Sequence, residues 1–225
     1  QSDKELLWGG KWGLDVIVPI VSLDISYDLP GPFPQDNGTG LGDLLVGPFL
    51  QWDPIMYNGR PLFMHRFELQ MIFPTGKYDE DKSLNPGSNF FSFNPYWSGT
   101  LFITPKWTAT TRIHYLWNAE NDDAFGPAKD STAGQAVHLN FASAYEVIPK
   151  ALRLGLNGYY LKQTTDSEVD GKDVKDGKEE VFSIGPGLLW SFSQNNHLFF
   201  NAYFETYAEN RSEGDRYTLR YVHHF

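Results

Sequence analysis

The sequence predicts an all-β protein: an antiparallel transmembrane β-barrel of the bacterial outer-membrane type, with ten readable strands in a single domain over 1–225. Three observations predict it. Apolar and polar residues alternate with a period of two through five long segments, which is the pattern of strands with one oily and one polar face. Connections between segments alternate between short and long, the asymmetry of a barrel with turns at one end and loops at the other. The chain also closes on an alternating strand whose last residue is aromatic, Phe225.

Bulk composition conceals this. The 225 residues are 20% charged, with a mean hydropathy of -0.40, values that suit a soluble protein. Aromatics make up 16%, with 17 Phe, 12 Tyr and 7 Trp, and no run of about 18 apolar residues could cross a bilayer as a helix. A spanning chain of this kind must pair its backbone groups in a closed sheet. Cysteine is absent, which excludes disulfides and thiolate chemistry. The net charge of -10 argues against nucleic acid as a partner. No signal peptide precedes Gln1, and because a barrel is exported the chain is expected to be a mature or trimmed form.

In chain order, strands are expected at about 10–27 and 41–53, then from Phe63 to Phe73, where Phe63, His65, Phe67, Leu69, Met71 and Phe73 oppose Met64, Arg66, Glu68, Gln70 and Ile72. A strand at 88–103 follows. In Trp107 to Asn118, Trp107, Ala109, Ile113, Tyr115 and Trp117 oppose Thr108, Thr110, Arg112, His114 and Asn118. In Val137 to Val147, Val137, Leu139, Phe141, Tyr145 and Val147 oppose His138, Asn140 and Glu146. Leu152, Leu154, Leu156 and Tyr160 oppose Arg153, Asn157 and Tyr159. After a strand at 179–193, Leu198, Phe200, Ala202 and Phe204 oppose Asn201, Tyr203 and Glu205. The last strand sets Tyr217, Leu219, Tyr221 and Phe225 against Thr218, Arg220, Val222 and His224, and resembles the assembly signal of outer-membrane barrels. Pro19, Pro48, Pro95 and Pro186 fall inside the less regular strands and are expected to mark edges or bulges.

Short connections near Thr104, Pro149 and 194–196 interleave with long polar stretches from Gly76 to Gly87, Glu120 to Gly134, Thr165 to Lys178 and Glu209 to Asp215. Counting back from a periplasmic Phe225 puts these long loops, and Asp28 to Gly40, outside the cell, and makes Asp53 to Pro61 a long periplasmic turn. Trp52, Trp107 and Trp190 then sit at the periplasmic membrane interface, with Trp117 and Tyr160 at the opposite one. The competing fold is a soluble β-sandwich, which needs a second sheet over each oily face.

Several motifs carry a family resemblance. Gly40, Leu41, Gly42 and Asp43 open a strand, Phe73, Pro74, Thr75, Gly76 and Tyr78 close another, and Phe225 ends the chain. In this order, and over nearly the whole chain from about Trp8, the sequence resembles the outer-membrane channel family known as the "meta-pathway of phenol degradation" proteins. The resemblance implies a monomeric barrel of twelve strands that takes up small hydrophobic or aromatic molecules. Ten strands are readable here, so it implies either a further amino-terminal segment supplying two more or a smaller barrel with an even strand number.

If Phe67 and Ile113 face lipid, then Arg66, Glu68, Gln70, Arg112, His114, His138, Asn140, Glu146, Arg153, Asn157, Tyr159, Asn201, Tyr203, Glu205 and Arg220 point inward as candidate pore-lining residues. The inverse assignment places charges in hydrocarbon at about 2–4 kcal/mol each. These rows either set selectivity for a permeant or brace and plug a narrow barrel. Tyr159, Tyr203, Tyr207 and Phe199 are read as an inward aromatic track. No metal or cofactor is expected: Asp166, Glu168 and Asp170 begin like a calcium loop, but Gly177 stands where the bidentate Glu belongs. No catalytic residue is assigned, since the one wall-facing pair, His65 and Ser143, lies on separated strands. The expected partners are outer-membrane lipid and lipopolysaccharide, the barrel assembly machinery and a small permeant.

Overall fold

The structure, a computed structural model, describes residues 1–26 and 35–225. The Asp28 to Gly40 loop and the end of the first expected strand fall partly on 27–34, outside the described residues. Ten long strands form one antiparallel meander: β1 (Lys11–Ile17), β2 (Leu44–Gln51), β3 (Arg60–Phe73), β4 (Ser92–Phe102), β5 (Trp107–Asn118), β6 (Ala136–Ile148), β7 (Leu152–Gln163), β8 (Glu180–Ser191), β9 (Asn196–Glu209) and β10 (Asp215–His223). Each pairs with its sequence neighbours, from β1 at one edge to β10 at the other, and among the described residues no ladder joins those two edges. The single helical element among them is the 3-10 turn Leu7–Gly9.

The two faces of this sheet invert the arrangement of a soluble protein. Phe67, Trp97, Ile113 and Leu154 are 39%, 38%, 47% and 44% exposed, whereas Glu68, Tyr96, His114 and Asn157 on the other face are 0% to 5% exposed. Among the described residues no second sheet packs on the oily face; the two smaller sheets belong to the long-loop end. An uncovered apolar surface of this extent is what a hydrocarbon solvent requires and water opposes. The barrel-type fold holds; the sandwich does not.

Pro19 falls between Lys11–Ile17 and a short strand Ile20–Ser22, splitting the expected 10–27 strand, whereas Pro48, Pro95 and Pro186 occupy interior strands, neither at edges nor in bulges as the sequence suggested. Pro48 keeps its partner Leu14 on β1, but pairing to β3 lapses between Val46↔Met71 and Phe49↔Glu68. Pro95 keeps Leu69 and interrupts β4–β5 between Phe93↔Trp117 and Tyr96↔His114. Pro186 keeps Leu156 and interrupts β8–β9 between Ile184↔Phe204 and Gly187↔Asn201. Register is the same before and after each gap. The missing N–H removes bonds on one side only and costs no residue of alignment.

The connections differ more from expectation. The stretch expected to be a plain turn from Asp53 to Pro61 contains a short strand, Ile55–Tyr57, folded onto the start of β3. Asn58 and Gly59 both take positive φ (48° and 74°) in its two-residue turn, the geometry that Asn-Gly favours. At the long-loop end, Glu120–Asn121, Ser131–Thr132, Ser167–Val169 and Lys172–Val174 assemble into a four-stranded sheet. Within it the Asp170 and Gly171 turn (φ 49° and 67°) is a second hairpin of that kind, and the Asp170 carboxylate accepts the Lys129 backbone N–H at 2.7 Å.

Asp43 gathers the two glycine motifs. Its carboxylate accepts the backbone N–H of Gly76 at 2.9 Å, and both the N–H and the hydroxyl of Ser88 at 2.8 and 2.5 Å. Gly76 and Gly87 approach so closely that a Cβ on Gly76 would lie 2.6 Å from the Gly87 Cα. The carboxylate therefore ties the start of β2 to the loop between β3 and β4. Asp43→Ala is expected to lower stability by about 2–3 kcal/mol, the value of losing charged hydrogen bonds at a part-buried site. A shift of the guanidinium unfolding midpoint in detergent micelles would show it; an unchanged midpoint would refute the tie.

Candidate functional site

The inner face is built by register. One row of directly opposed residues runs Lys11, Gln51, Arg66, Ser98, Arg112, Asn140, Tyr159, Ser183 and Glu205 across β1 to β9, polar at every position. The neighbouring row sets Glu68, Tyr96, His114 and His138 side by side. Asn157, Asn201, Tyr203 and Arg220 share this face through Gly187↔Asn201, Tyr203↔Arg216 and Phe199↔Arg220, and Glu146 opposes Arg153. All fifteen residues singled out from the sequence thus fall on one face.

Contacts on that face are concentrated at β1 to β6. Arg66 lies with its guanidinium carbon 3.4 Å from the centre of the Phe49 ring and pairs with both Asp15 and Glu68. Glu68 is fully buried, and it takes further hydrogen bonds from the Tyr96 hydroxyl at 2.5 Å and the Gln70 amide at 3.0 Å. Its carboxylate fits because Gly47 lies beneath it; a Cβ there would stand 2.3 Å from Glu68 Oε1. The chain continues from Asn94 Nδ2 to Gln70 Oε1 at 3.1 Å, and Asn94 Oδ1 meets His138 Nε2 at 3.0 Å. His138 stacks on His114 at 4.0 Å, and His114 in turn lies against Tyr96. A buried carboxylate is tolerable only with partners of this number and charge.

The remaining strands form a second group. The Tyr159 hydroxyl donates to Glu205 at 2.6 Å, Gly214 N–H donates to the same carboxylate at 2.8 Å, and Arg211 stands 3.6 Å from it. Arg216 lies over both Tyr159 and Tyr203, at 4.5 and 4.7 Å. Toward the short-turn ends of β5 to β9, small side chains leave space: a cavity of about 250 Å3 is lined by Thr110, Ala144, Gly155, Gly187 and Phe199, with Arg153 at its wall.

Tyr207 departs from the aromatic track. Thr206 is an extra residue between Phe182↔Tyr207 and Ser183↔Glu205, and this bulge turns Tyr207 to the outer face, where its hydroxyl donates to Glu209 at 2.7 Å. Asp15, Asn94, Tyr96 and Arg216 are partners that sequence reasoning missed. Asp15 and Tyr96 sit in strands broken up by glycine and proline, and Arg216 precedes the segment whose alternation was legible.

On the outer face, Trp52, Trp107 and Trp190 stand at the short-turn end, Trp117 and Tyr160 at the other. Tyr217, Leu219 and Tyr221 oppose Ala202, Phe200 and Leu198 there, while Phe225 lies past the end of β10 against His223. His65 is stacked on Trp52 at 4.4 Å, and the Ser143 hydroxyl accepts Trp107 Nε1–H at 2.8 Å. They sit on β3 and β6, three strand spacings or roughly 14 Å apart. The structure does not bring them together as a nucleophile and base.

Comparison with known proteins now decides the kinship. Residues 1–221 match the family model described as "Putative MetA-pathway of phenol degradation". The chain belongs to this family. Its fold is that of the COG4313 outer membrane channel from Pseudomonas putida F1: the crystal structure superposes with a TM-score of 0.73 at 21% identity, over 83% of this chain and 68% of that one. A comparison with curated proteins finds no match.

Glu68→Ala is expected to destabilise the protein by about 3 kcal/mol, because it deprives a part-buried guanidinium of its most enclosed partner. Glu68→Gln, which keeps an acceptor for Tyr96, should lose less. Unfolding midpoints of the two variants in micelles give the comparison, and equal midpoints with the parent would mean that Glu68 does not hold the network.

Proposed function

We propose that this chain is an outer-membrane channel for passive uptake of small hydrophobic or aromatic molecules. The carrying observation is the pairing of an uncovered apolar outer face with a continuous polar inner row that stops short of filling the interior. The oily face suits acyl chains, and its Trp and Tyr residues at both ends suit the two interfaces. The fold of a known outer membrane channel supports the same reading. In it the long loops face the cell exterior beside lipopolysaccharide, the carboxyl terminus faces the periplasm, Tyr217, Leu219, Tyr221 and Phe225 are read by the barrel assembly machinery, and the barrel works as a monomer.

The inner-face residues divide between two tasks in this reading. The Asp15, Arg66, Glu68, Tyr96 and Gln70 network braces one wall and narrows the path. The face built by β5 to β10, with its cavity and its aromatic rings, offers the permeant a surface. A narrow and partly aromatic lumen favours a selective channel over a general ion-permeable porin, because flat solutes gain from stacking that hydrated ions do not.

Purified protein in a planar bilayer should show discrete openings whose mean current falls when a simple aromatic solute is added to one side. A bilayer that stays silent, or openings indifferent to every aromatic solute tested, would contradict this function.

A further inference from the structure

Pro186 has no N–H to give Ala202, which stands opposite it between the pairs Ile184↔Phe204 and Gly187↔Asn201. The Ala202 carbonyl is met from β7 instead. Asn157 reaches across β8, and its Nδ2 donates to Ala202 O at 3.0 Å. Glycine leaves that path open, since a Cβ on Gly185 would lie 2.3 Å from the same oxygen. The bond fixes which way the amide points, because Oδ1 in its place would set acceptor against acceptor. Oδ1 is therefore held over Gly187, where a Cβ would stand 2.3 Å from it. Asn157 is 5% exposed, and this oxygen accepts no hydrogen bond among the described residues.

Asn201, opposite Gly187 on β9, brings a second acceptor to the same point. Its Nδ2 is directed to Thr218 Oγ1 at 3.5 Å, and its Oδ1 would stand 2.8 Å from the Cβ on Gly187. Asn157, Gly187 and Asn201 all line the 250 Å3 cavity. Other polar groups in its wall are engaged: Arg153 pairs with Glu146 at 3.7 Å and donates to Thr108 at 3.3 Å, and Thr110 shares a hydrogen bond with Thr100 at 2.9 Å. Phe199 and Leu189 supply an apolar wall. The cavity thus sets two unused acceptors beside an apolar surface. Its volume equals the share of roughly eight liquid waters, enough for one six-membered ring.

We infer that this cavity binds a neutral single-ring aromatic solute that donates hydrogen bonds, and that Asn157 and Asn201 select it. The inference rests on the channel reading and narrows its permeant class. A donor group carrying two hydrogens, such as an aromatic amine in its uncharged form, gives one to each oxygen while the ring lies against Phe199. It satisfies an acceptor that the folded chain leaves buried and unpaired. A carboxylate brings oxygen to oxygen, and a plain hydrocarbon leaves both amides unmet.

The test uses the full chain in detergent micelles and three probes that share one ring, aniline, N-methylaniline and N,N-dimethylaniline, at a mildly alkaline pH that keeps them uncharged. They carry two, one and no N–H hydrogens. Affinity from saturation-transfer NMR titrations should fall about fivefold with each hydrogen lost, the value of one neutral hydrogen bond. Apolar surface grows in the same order, so burial alone ranks the probes the opposite way. Asn201→Leu should weaken aniline about fivefold and leave N,N-dimethylaniline at the parent's affinity. Asn157→Leu should do the same; Asn201→Leu is the decisive variant because Asn157 also holds Ala202, and heat-modifiable migration on a gel shows that each is folded. Equal affinity for the three amines in the parent would mean that the two amides satisfy each other, and would overturn the site. So would an aniline preference that survives both substitutions. Bilayer currents blocked by aromatic solutes regardless of their N–H count would keep the channel function and remove the site. A silent bilayer with an aniline preference that depends on Asn201 would remove the channel function and keep the site.

Discussion

A backbone in hydrocarbon must find its hydrogen-bond partners in its own chain, and this single requirement orders the rest of the molecule. It explains why ten strands pair only with sequence neighbours, and why register survives each of the three proline gaps. Each proline keeps the partner on one side and omits pairs on the other, so the loss stays local to Pro48, Pro95 and Pro186. The same requirement bears on the sheet's edges, β1 and β10, whose outward backbone groups need partners in a bilayer.

Turning the apolar side chains outward pushes the polar ones inward, and the interior must then solve a problem that soluble proteins leave to water. The solution differs between the two halves of the sheet. Around β1 to β4 the charges are matched and closed off: Glu68 sits over Gly47, between Arg66, Tyr96 and Gln70. Toward β10 the cations rest on aromatic faces and keep an open edge. One half therefore contributes rigidity and the other a surface.

Much of this was legible in the sequence because alternation is a direct readout of which side each residue faces. From Phe63 to Phe73, and again in β5, β6 and β7, the oily and polar sets observed are those read from the chain. The alternation of loop lengths holds from β3 to β9, but the β9–β10 connection, expected to be long, spans only 210–214. What escaped was information carried by geometry instead of period. Thr206 adds one residue and turns Tyr207 outward, an event that parity counting passes over. Asn58 and Gly59 form a hairpin turn within what reads as a long connection, and four pairs or triplets of residues, two from each of two loops, meet as a small sheet. The cavity owes its existence to Gly155, Gly187 and Ala144 facing one another, a coincidence of three strands. Asp43 and its glycines were recognisable as a motif, but their role appears only when Gly76, Gly87 and Ser88 converge on one carboxylate.

The central claim is that one face of this sheet meets lipid and the other meets water. The chain contains no cysteine, so single cysteines can report it without background. Cysteines placed at Phe67, Ile113 and Leu154 on the outer face, and at Arg112, Asn140 and Tyr203 on the inner, would be treated in lipid vesicles with a charged, membrane-impermeant thiol reagent. The account requires rapid labelling of the inner three and protection of the outer three. Labelling of the outer positions at the rate of the inner ones would contradict it.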